Sequence, residues 1–278
     1  MRFLFRPLYN MLTAGETISS LEVTIQKLRS TNVYPIADYI REYAKTNDDV
    51  NKNVEEYKKL AHARNLDYIA IKPSSFQFQL EPLNSLIGYL IFYKKKILID
   101  AEDVANQSQI NSITDTMLLN YNVESINVYK TYQMYRQDSL KTLELDMEYF
   151  SHLGIKLVRG AYMKQDKHTG KLYDTKEGTD KAFRDALDLA LRKNNSNIIH
   201  TMICTHNKED IDYMIKKYTN QPIVHASLYG FLPNDTQKIV NSGIPTYKYL
   251  PYGTMDDAVP YLVRRIQENP FILKYYFG

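Results

Sequence analysis

Two adjacent arginines, Arg264 and Arg265, stand in the segment LPYGTMDDAVPYLVRRIQEN (250–269). On a helix, Tyr261, Arg264, Arg265 and Glu268 fall at i, i+3, i+4 and i+7 and share one face. A guanidinium grips a carboxylate through two parallel N–H donors and stays charged at any working pH, so the pair predicts a clamp for a small anion. Buried arginines also need an acidic partner, and Asp100 is the candidate. Elsewhere, short β-branched and aromatic runs repeatedly end in polar groups. These are Asp38, Lys72, Asp100, Gln133, Lys156 with Arg159, the trio Thr205, His206 and Asn207, and Tyr249. A single charged residue at a strand end is ordinarily a solvated loop residue or a helix cap, but a whole series predicts a polar pocket.

The elements that must position these groups alternate along the chain. Eight segments read as strands: Val33–Tyr39, Tyr68–Pro73, Ile97–Ala101, Ile126–Tyr132, Ile155–Ala161, Ile199–Thr205, Ile223–Leu228 and Pro245–Tyr252. Between them lie amphipathic stretches of helical length. The clearest are 50–65, and 179–194 with Ala182, Phe183, Ala186, Leu187, Ala190 and Leu191 on one stripe. Thr179 and Asp180 suit the start of the second helix, and Thr254 with Asp256 suits the start of the arginine-bearing one. Strands buried on both faces and joined through helices make a parallel sheet. Eight such units in 278 residues predict a (β/α)8 barrel, with a doubly wound open sheet as the alternative. We expect a single domain over 1–278, with a helical N-terminal segment (1–30) before the barrel and its closing helix (31–269). In a barrel the strand-end polar groups meet at the C-terminal mouth.

Bulk properties narrow the function classes. A net charge of +3, without a clustered basic face, argues against nucleic acid as a partner. One cysteine, Cys204, allows no disulfide within the chain and points to a reducing, cytoplasmic compartment. The strongest apolar run, near residues 86–93, falls short of the roughly 20 residues that span a bilayer. The basic N-terminus MRFLFRPLYNMLTAGET lacks the uninterrupted apolar core of a secretory signal and is read as part of the fold. Six histidines show no metal-binding spacing, so no metal is expected, and neither GxGxxG, a Walker loop nor GxSxG occurs. Gly160 in LVRGAYMK lets a ligand approach the backbone. Asn207 is equally an N-cap or a phosphate ligand. Lys72 and Lys156 also admit a cofactor-free barrel lyase working through a Schiff base.

Three segments carry a family resemblance. KLVRGAYM (156–163), CTHN (204–207) and YLPYGTMDDAVPYLVRRIQEN (249–269) resemble the signature segments of the FAD-dependent proline dehydrogenases. IDAED (99–103), VYKTYQMY (128–135) and AGET (14–17) fit the same family in the same order, so the likeness runs from about Gly15 to Asn269. It implies a distorted (β/α)8 barrel that oxidises L-proline to Δ1-pyrroline-5-carboxylate, passing a hydride from C5 to FAD N5 and electrons on to a quinone. By position, Arg264, Arg265 and Lys72 would bind the substrate carboxylate. Asp100 would pair with the first arginine as a latch. Tyr249, Tyr261, Tyr162, Ala161 and Leu228 would wall the proline ring. Gln133, Lys156, Val158, Gly160 and Tyr162 would lie along the isoalloxazine. Thr175, Lys176, Thr205, His206, Asn207 and Glu268 would hold the pyrophosphate, ribose and adenine end.

Two positions depart from the family pattern. Lys156 stands where some members carry arginine, and HASLYGF (225–231) lacks a glutamine common near Ala226 or Ser227, so no FAD contact is carried over there. The family implies no metal and no covalent nucleophile, and the residues single out no general base. A catalytically inactive homologue that binds FAD or proline is a further alternative. A quinone acceptor would favour peripheral membrane contact, and the tail PFILKYYFG (270–278) is aromatic enough either for that or for covering the barrel.

Overall fold

The computed structural model describes residues 2–192, 198–231 and 233–268, without the side chains of 2–5, 192, 233 and 268. The Glu268 side chain and the aromatic tail singled out above therefore lie outside the described residues. Helices α1 (Arg2–Leu12) and α2 (Ile18–Arg29) precede β1 (Val33–Tyr39). Then follow α3 (Asn47–Leu60), β2 (Tyr68–Ile71), α4 (Leu80–Phe92), β3 (Lys96–Ile99), α5 (Gln107–Tyr121) and β4 (Val128–Gln133). After α6 (Ser139–Tyr149) and β5 (His152–Val158) come a short α7 (Met163–Asp166), α8 (Lys176–Arg192) and β6 (Ile198–Cys204). The chain ends through α9 (Lys208–Tyr218), β7 (Ile223–Leu228), α10 (Pro233–Asn241), β8 (Thr246–Tyr252) and α11 (Met255–Glu268).

All eight strands are parallel and close in chain order, β1 meeting β8 from Val33↔Thr246 to Tyr39↔Tyr252. The barrel, not the open sheet, is the architecture. Ile36, Ala70, Leu98, Met202, Val224 and Ala226 fill its interior, and tyrosines close its N-terminal end. There Tyr68 and Tyr129 join hydroxyls at 3.3 Å, and Tyr129 reaches His200 Nδ1 at 3.0 Å. The remaining open end is the mouth at the strand C-termini.

Two helix starts differ from the sequence reading. Helix α3 begins earlier, where Thr46 accepts from the Asp49 N–H and Asp49 returns the bond in a capping box. Helix α8 begins at Lys176, and it is Thr175 Oγ1 that accepts from Gly178 N at 3.0 Å. Gly178 breaks the apolar pattern in the first turn, which hides the true start; Thr179 is buried and Asp180 is ion-paired.

Helix α11 crosses the mouth, and α1 holds it there. Ala258 and Leu262 pack against Leu8, Tyr9 and Leu12, each buried leucine stabilising by roughly 1.5–3 kcal/mol. Tyr9 OH donates to Gly253 O at 2.6 Å, Ala14 N donates to Pro251 O, and Gly253 N donates to Gly15 O. The apolar stripe thus faces α1 and turns the arginine face toward the mouth. At its start Thr254 caps the helix, with Asp257 rather than Asp256 as its hydrogen-bond partner.

Candidate active site

Each polar side chain at the mouth is placed by the end of a strand. Asp38 closes β1 and Lys72 follows β2, and their side chains form a buried ion pair. Burial alone would push the Lys72 amine down, but Asp38, with Asp100 and Glu42, more than offsets this and holds it above the ordinary lysine value. Asp100 follows β3. Lys156 on β5 reaches past β4 to donate to Asp100 Oδ1 at 2.6 Å, and the Tyr249 hydroxyl donates to the same oxygen at 3.2 Å. The Lys156 ammonium also lies 4.6 Å from the centre of the Tyr249 ring. Burial first, and Asp100 second, push the Tyr249 phenol well above its usual value, so it remains a donor.

This corrects one expectation. Asp100 is not the partner of Arg264; it holds Lys156. Arg264 Nη2 instead donates to Glu42 Oε1 at 2.6 Å, both side chains being nearly buried. Glu42 lies in the loop after β1, where no strand or helix pattern marks it, so nothing in the local sequence announces this pairing. The Arg264 guanidinium lies 5.4 Å from the Tyr162 ring centre, and its Nε is buried without a hydrogen-bond partner among the described residues. Arg265 lies 5.1 Å from the ring centre of Tyr261 and is 8% exposed.

On the far side of the mouth, β4 to β7 supply a mixed polar and apolar wall. Gln133 Nε2 donates to Glu102 O at 2.7 Å, and its Oε1 accepts from Ala161 N at 3.4 Å, which fixes its amide orientation. Gly160, at φ +135°, lets the chain pass against Tyr135. Asn207 Oδ1 accepts from Glu209 N and Asp210 N, so it is an N-cap, with its amide nitrogen left over. His206 Nε2 accepts from Leu228 N at 2.9 Å, which leaves Nδ1 as the protonated nitrogen of the neutral ring.

Burial, reinforced by Lys248, Arg265 and His225, pulls the His206 imidazole down to about 3. Its neutral form therefore contributes stability that is full above about pH 6.5 and declines as pH falls toward the folded value. An NMR titration of the His206 ring is expected to show no protonation step above pH 4; a midpoint near 6.5 would contradict this placement.

These walls enclose a cavity of about 680 Å³, within the range of cofactor and ligand sites. Lys72, Asp100, Arg264 and Arg265 line it, as do Ala161, Tyr162, Leu228, Tyr249 and Tyr261. So do Gln133, Lys156, Val158, Gly160, Thr175, Lys176, Thr205, His206 and Asn207. Every candidate with a described side chain is therefore brought to one chamber. Glu42, Cys204 and Ser227 also line it, and sequence reasoning gave them no role. Among the described lining residues six are basic and four acidic, so the chamber carries surplus positive charge for an anionic occupant. Arg159 and Lys176, both held by Asp180, stand beside the starts of α8 and α9, where backbone N–H groups favour phosphate. Burial pushes the Cys204 thiol up to about 12, so it offers no thiolate.

A family model described as proline dehydrogenase matches residues 21–273. Proline dehydrogenase 1, mitochondrial, of Caenorhabditis elegans is 33% identical over 208 residues, covering 67% of this chain and 34% of that protein. The carbapenem antibiotics biosynthesis protein CarD of Pectobacterium carotovorum subsp. carotovorum is 26% identical over 303 residues, covering 96% and 80%. Among solved structures, proline utilization A (PutA) from Bdellovibrio bacteriovorus inactivated by N-propargylglycine superposes with a TM-score of 0.85 at 15% identity. That match covers 95% of this chain and 33% of the other, and it speaks for the fold. The chain thus spans about a third of the length of its animal relative.

Proposed function

The chain belongs to the proline dehydrogenase family, and from that premise we propose that it oxidises L-proline to Δ1-pyrroline-5-carboxylate with FAD as its cofactor. One observation carries the reading: Arg264 and Arg265, borne by the helix across the mouth, share a chamber with Lys72, Asp100 and Lys156. Of the four cations named, Arg264, Arg265 and Lys72 suit one carboxylate. The donor set also fits FAD. Gln133, Val158 and Gly160 offer a flat wall, Lys176 and Arg159 offer charge for a pyrophosphate, and Thr205, His206 and Asn207 offer neutral donors.

When bound, FAD supplies the two-electron acceptor for the C5 hydride. The protein's part is orientation and exclusion of water. Arg264, Arg265 and Lys72 hold the carboxylate, while Tyr249, Tyr261, Leu228 and Ala161 wall the ring. Asp100 uses Oδ1 for Lys156 and Tyr249, which leaves Oδ2, without a hydrogen bond among the described residues, for the ring nitrogen. Loss of hydride from C5 and of a proton from nitrogen leaves the C5–N double bond. The lyase alternative needs a free neutral amine, whereas Lys72 is ion-paired with Asp38 and Lys156 with Asp100.

Adding L-proline to the purified flavoprotein without oxygen is expected to bleach the visible flavin band completely. A yellow protein that proline leaves unbleached would indicate an inactive homologue, and protein that takes up no FAD would overturn the cofactor assignment. For the return of electrons we propose a quinone acceptor; reoxidation by a short-chain quinone is expected to be at least tenfold faster than by dioxygen, and equal rates would overturn it.

A further inference from the structure

Lys248 lies on β8 between Tyr247 and Tyr249, whose rings pack inside the barrel. Strand alternation sends its side chain to the outer face, yet it is only 5% exposed. Its ammonium donates to Ser227 Oγ at 2.7 Å and to Phe231 O at 2.7 Å, with no carboxylate in ion-pair range among the described residues. A charge buried in this way is costly to keep. Burial accordingly pulls the amine down to about 8, Asp235 acting the other way.

The turn that Lys248 grips is the one that fixes His206. Leu228 N donates to His206 Nε2, and the Phe231 ring covers the imidazole at 5.0 Å. Lys248 thus holds the carbonyl of the residue stacked on His206, and the hydroxyl of the residue preceding Leu228. Its charge also opposes protonation of that ring. Among the described residues, Asp235 from α10, His225 from β7 and His206 beyond β6 are the ionisable groups that interact with it, and Arg265 from α11 faces His206 as well.

We propose that Lys248, outside the chamber, is a positioning residue of the cofactor site: through Ser227 and Phe231 its ammonium locks the 228–231 turn against His206, so FAD affinity depends on the Lys248 charge. This rests on the reading that the chamber holds FAD. It is tested with cofactor-stripped protein titrated with FAD by fluorescence between pH 6.5 and 9.5. The wild-type Kd is expected to rise about tenfold as pH climbs through 8, because the ammonium is lost there. Lys248→Arg is expected to remove that alkaline rise, while Lys248→Met binds roughly tenfold more weakly even at pH 7. A wild-type Kd that stays flat, or a Lys248→Arg curve that tracks wild type, overturns the proposal even if the methionine variant fails to fold. Wild-type protein that takes up no FAD at any pH would overturn the cofactor reading and this proposal together, and so is told apart from a flat Kd.

Discussion

If the chain oxidises proline as proposed, Arg264→Ala is expected to raise the KM for L-proline roughly a hundredfold, on the order of 3 kcal/mol, with a much smaller fall in kcat. The size follows from truncating one partner of a buried charge pair. Arg264 does two jobs at once: it neutralises Glu42 at 2.6 Å, and it lines the chamber beside Arg265. Removing it leaves Glu42, almost wholly buried, without its cation, and that adds repulsion toward the substrate carboxylate. The two contributions separate in Arg264→Ala/Glu42→Gln. The double variant should recover most of the lost thermal stability, and about tenfold in KM, but not wild-type affinity. Steady-state kinetics with a melting curve for each variant decide it. An unchanged KM in Arg264→Ala would remove the clamp from the mechanism.

Gly160→Ala is expected to cost the folded protein about 3 kcal/mol and to leave under a tenth of the molecules carrying flavin. A Cβ at this position would sit 2.1 Å from the Tyr135 ring, on a backbone with φ +135°. Tyr135 cannot retreat. It is 1% exposed, and its hydroxyl donates to the buried Asp166 carboxylate. Overpacking of this kind costs roughly 1–3 kcal/mol, and the unfavourable φ adds to it. Gly170→Ala is the control, with φ +66° but nothing within 4 Å of the new methyl, so about 1 kcal/mol of backbone strain is all it should show. Denaturant unfolding and the flavin-to-protein absorbance ratio measure both effects. Equal losses in the two variants would mean that the contact with Tyr135 is immaterial.

The sequence makes the barrel readable because its strands are nearly unbroken β-branched and aromatic runs. Val33–Tyr39 and Ile223–Leu228 begin and end where their side chains say they should. The chamber is readable for a related reason, since strand ends in a closed parallel barrel must converge. Pairings are another matter. Lys156 on β5 and Asp100 just after β3 are 56 residues apart and belong to strands that are not neighbours, and only the barrel's curvature brings them to 2.6 Å. Asp100 could serve either a lysine or an arginine, and no one-dimensional signal chooses between them. Glu42 belongs to a loop, where periodicity is silent. Asn207 shows the same ambiguity resolved by geometry: its side-chain oxygen is consumed as a helix cap.

The strap between α1 and α11 bears on how the chain is made. Tyr9 and Gly253 are 244 residues apart, and their hydrogen bond closes the polypeptide between them into one loop. Contacts this distant form late, and a nascent chain emerges from its N-terminal side. Until residues 255–262 have left the ribosome, Leu8, Tyr9 and Leu12 have no α11 to cover them. While the barrel between them is being made, the growing chain therefore carries this apolar stripe without its α11 cover, a natural foothold for holding chaperones, and the mouth is closed over only when that stripe is hidden.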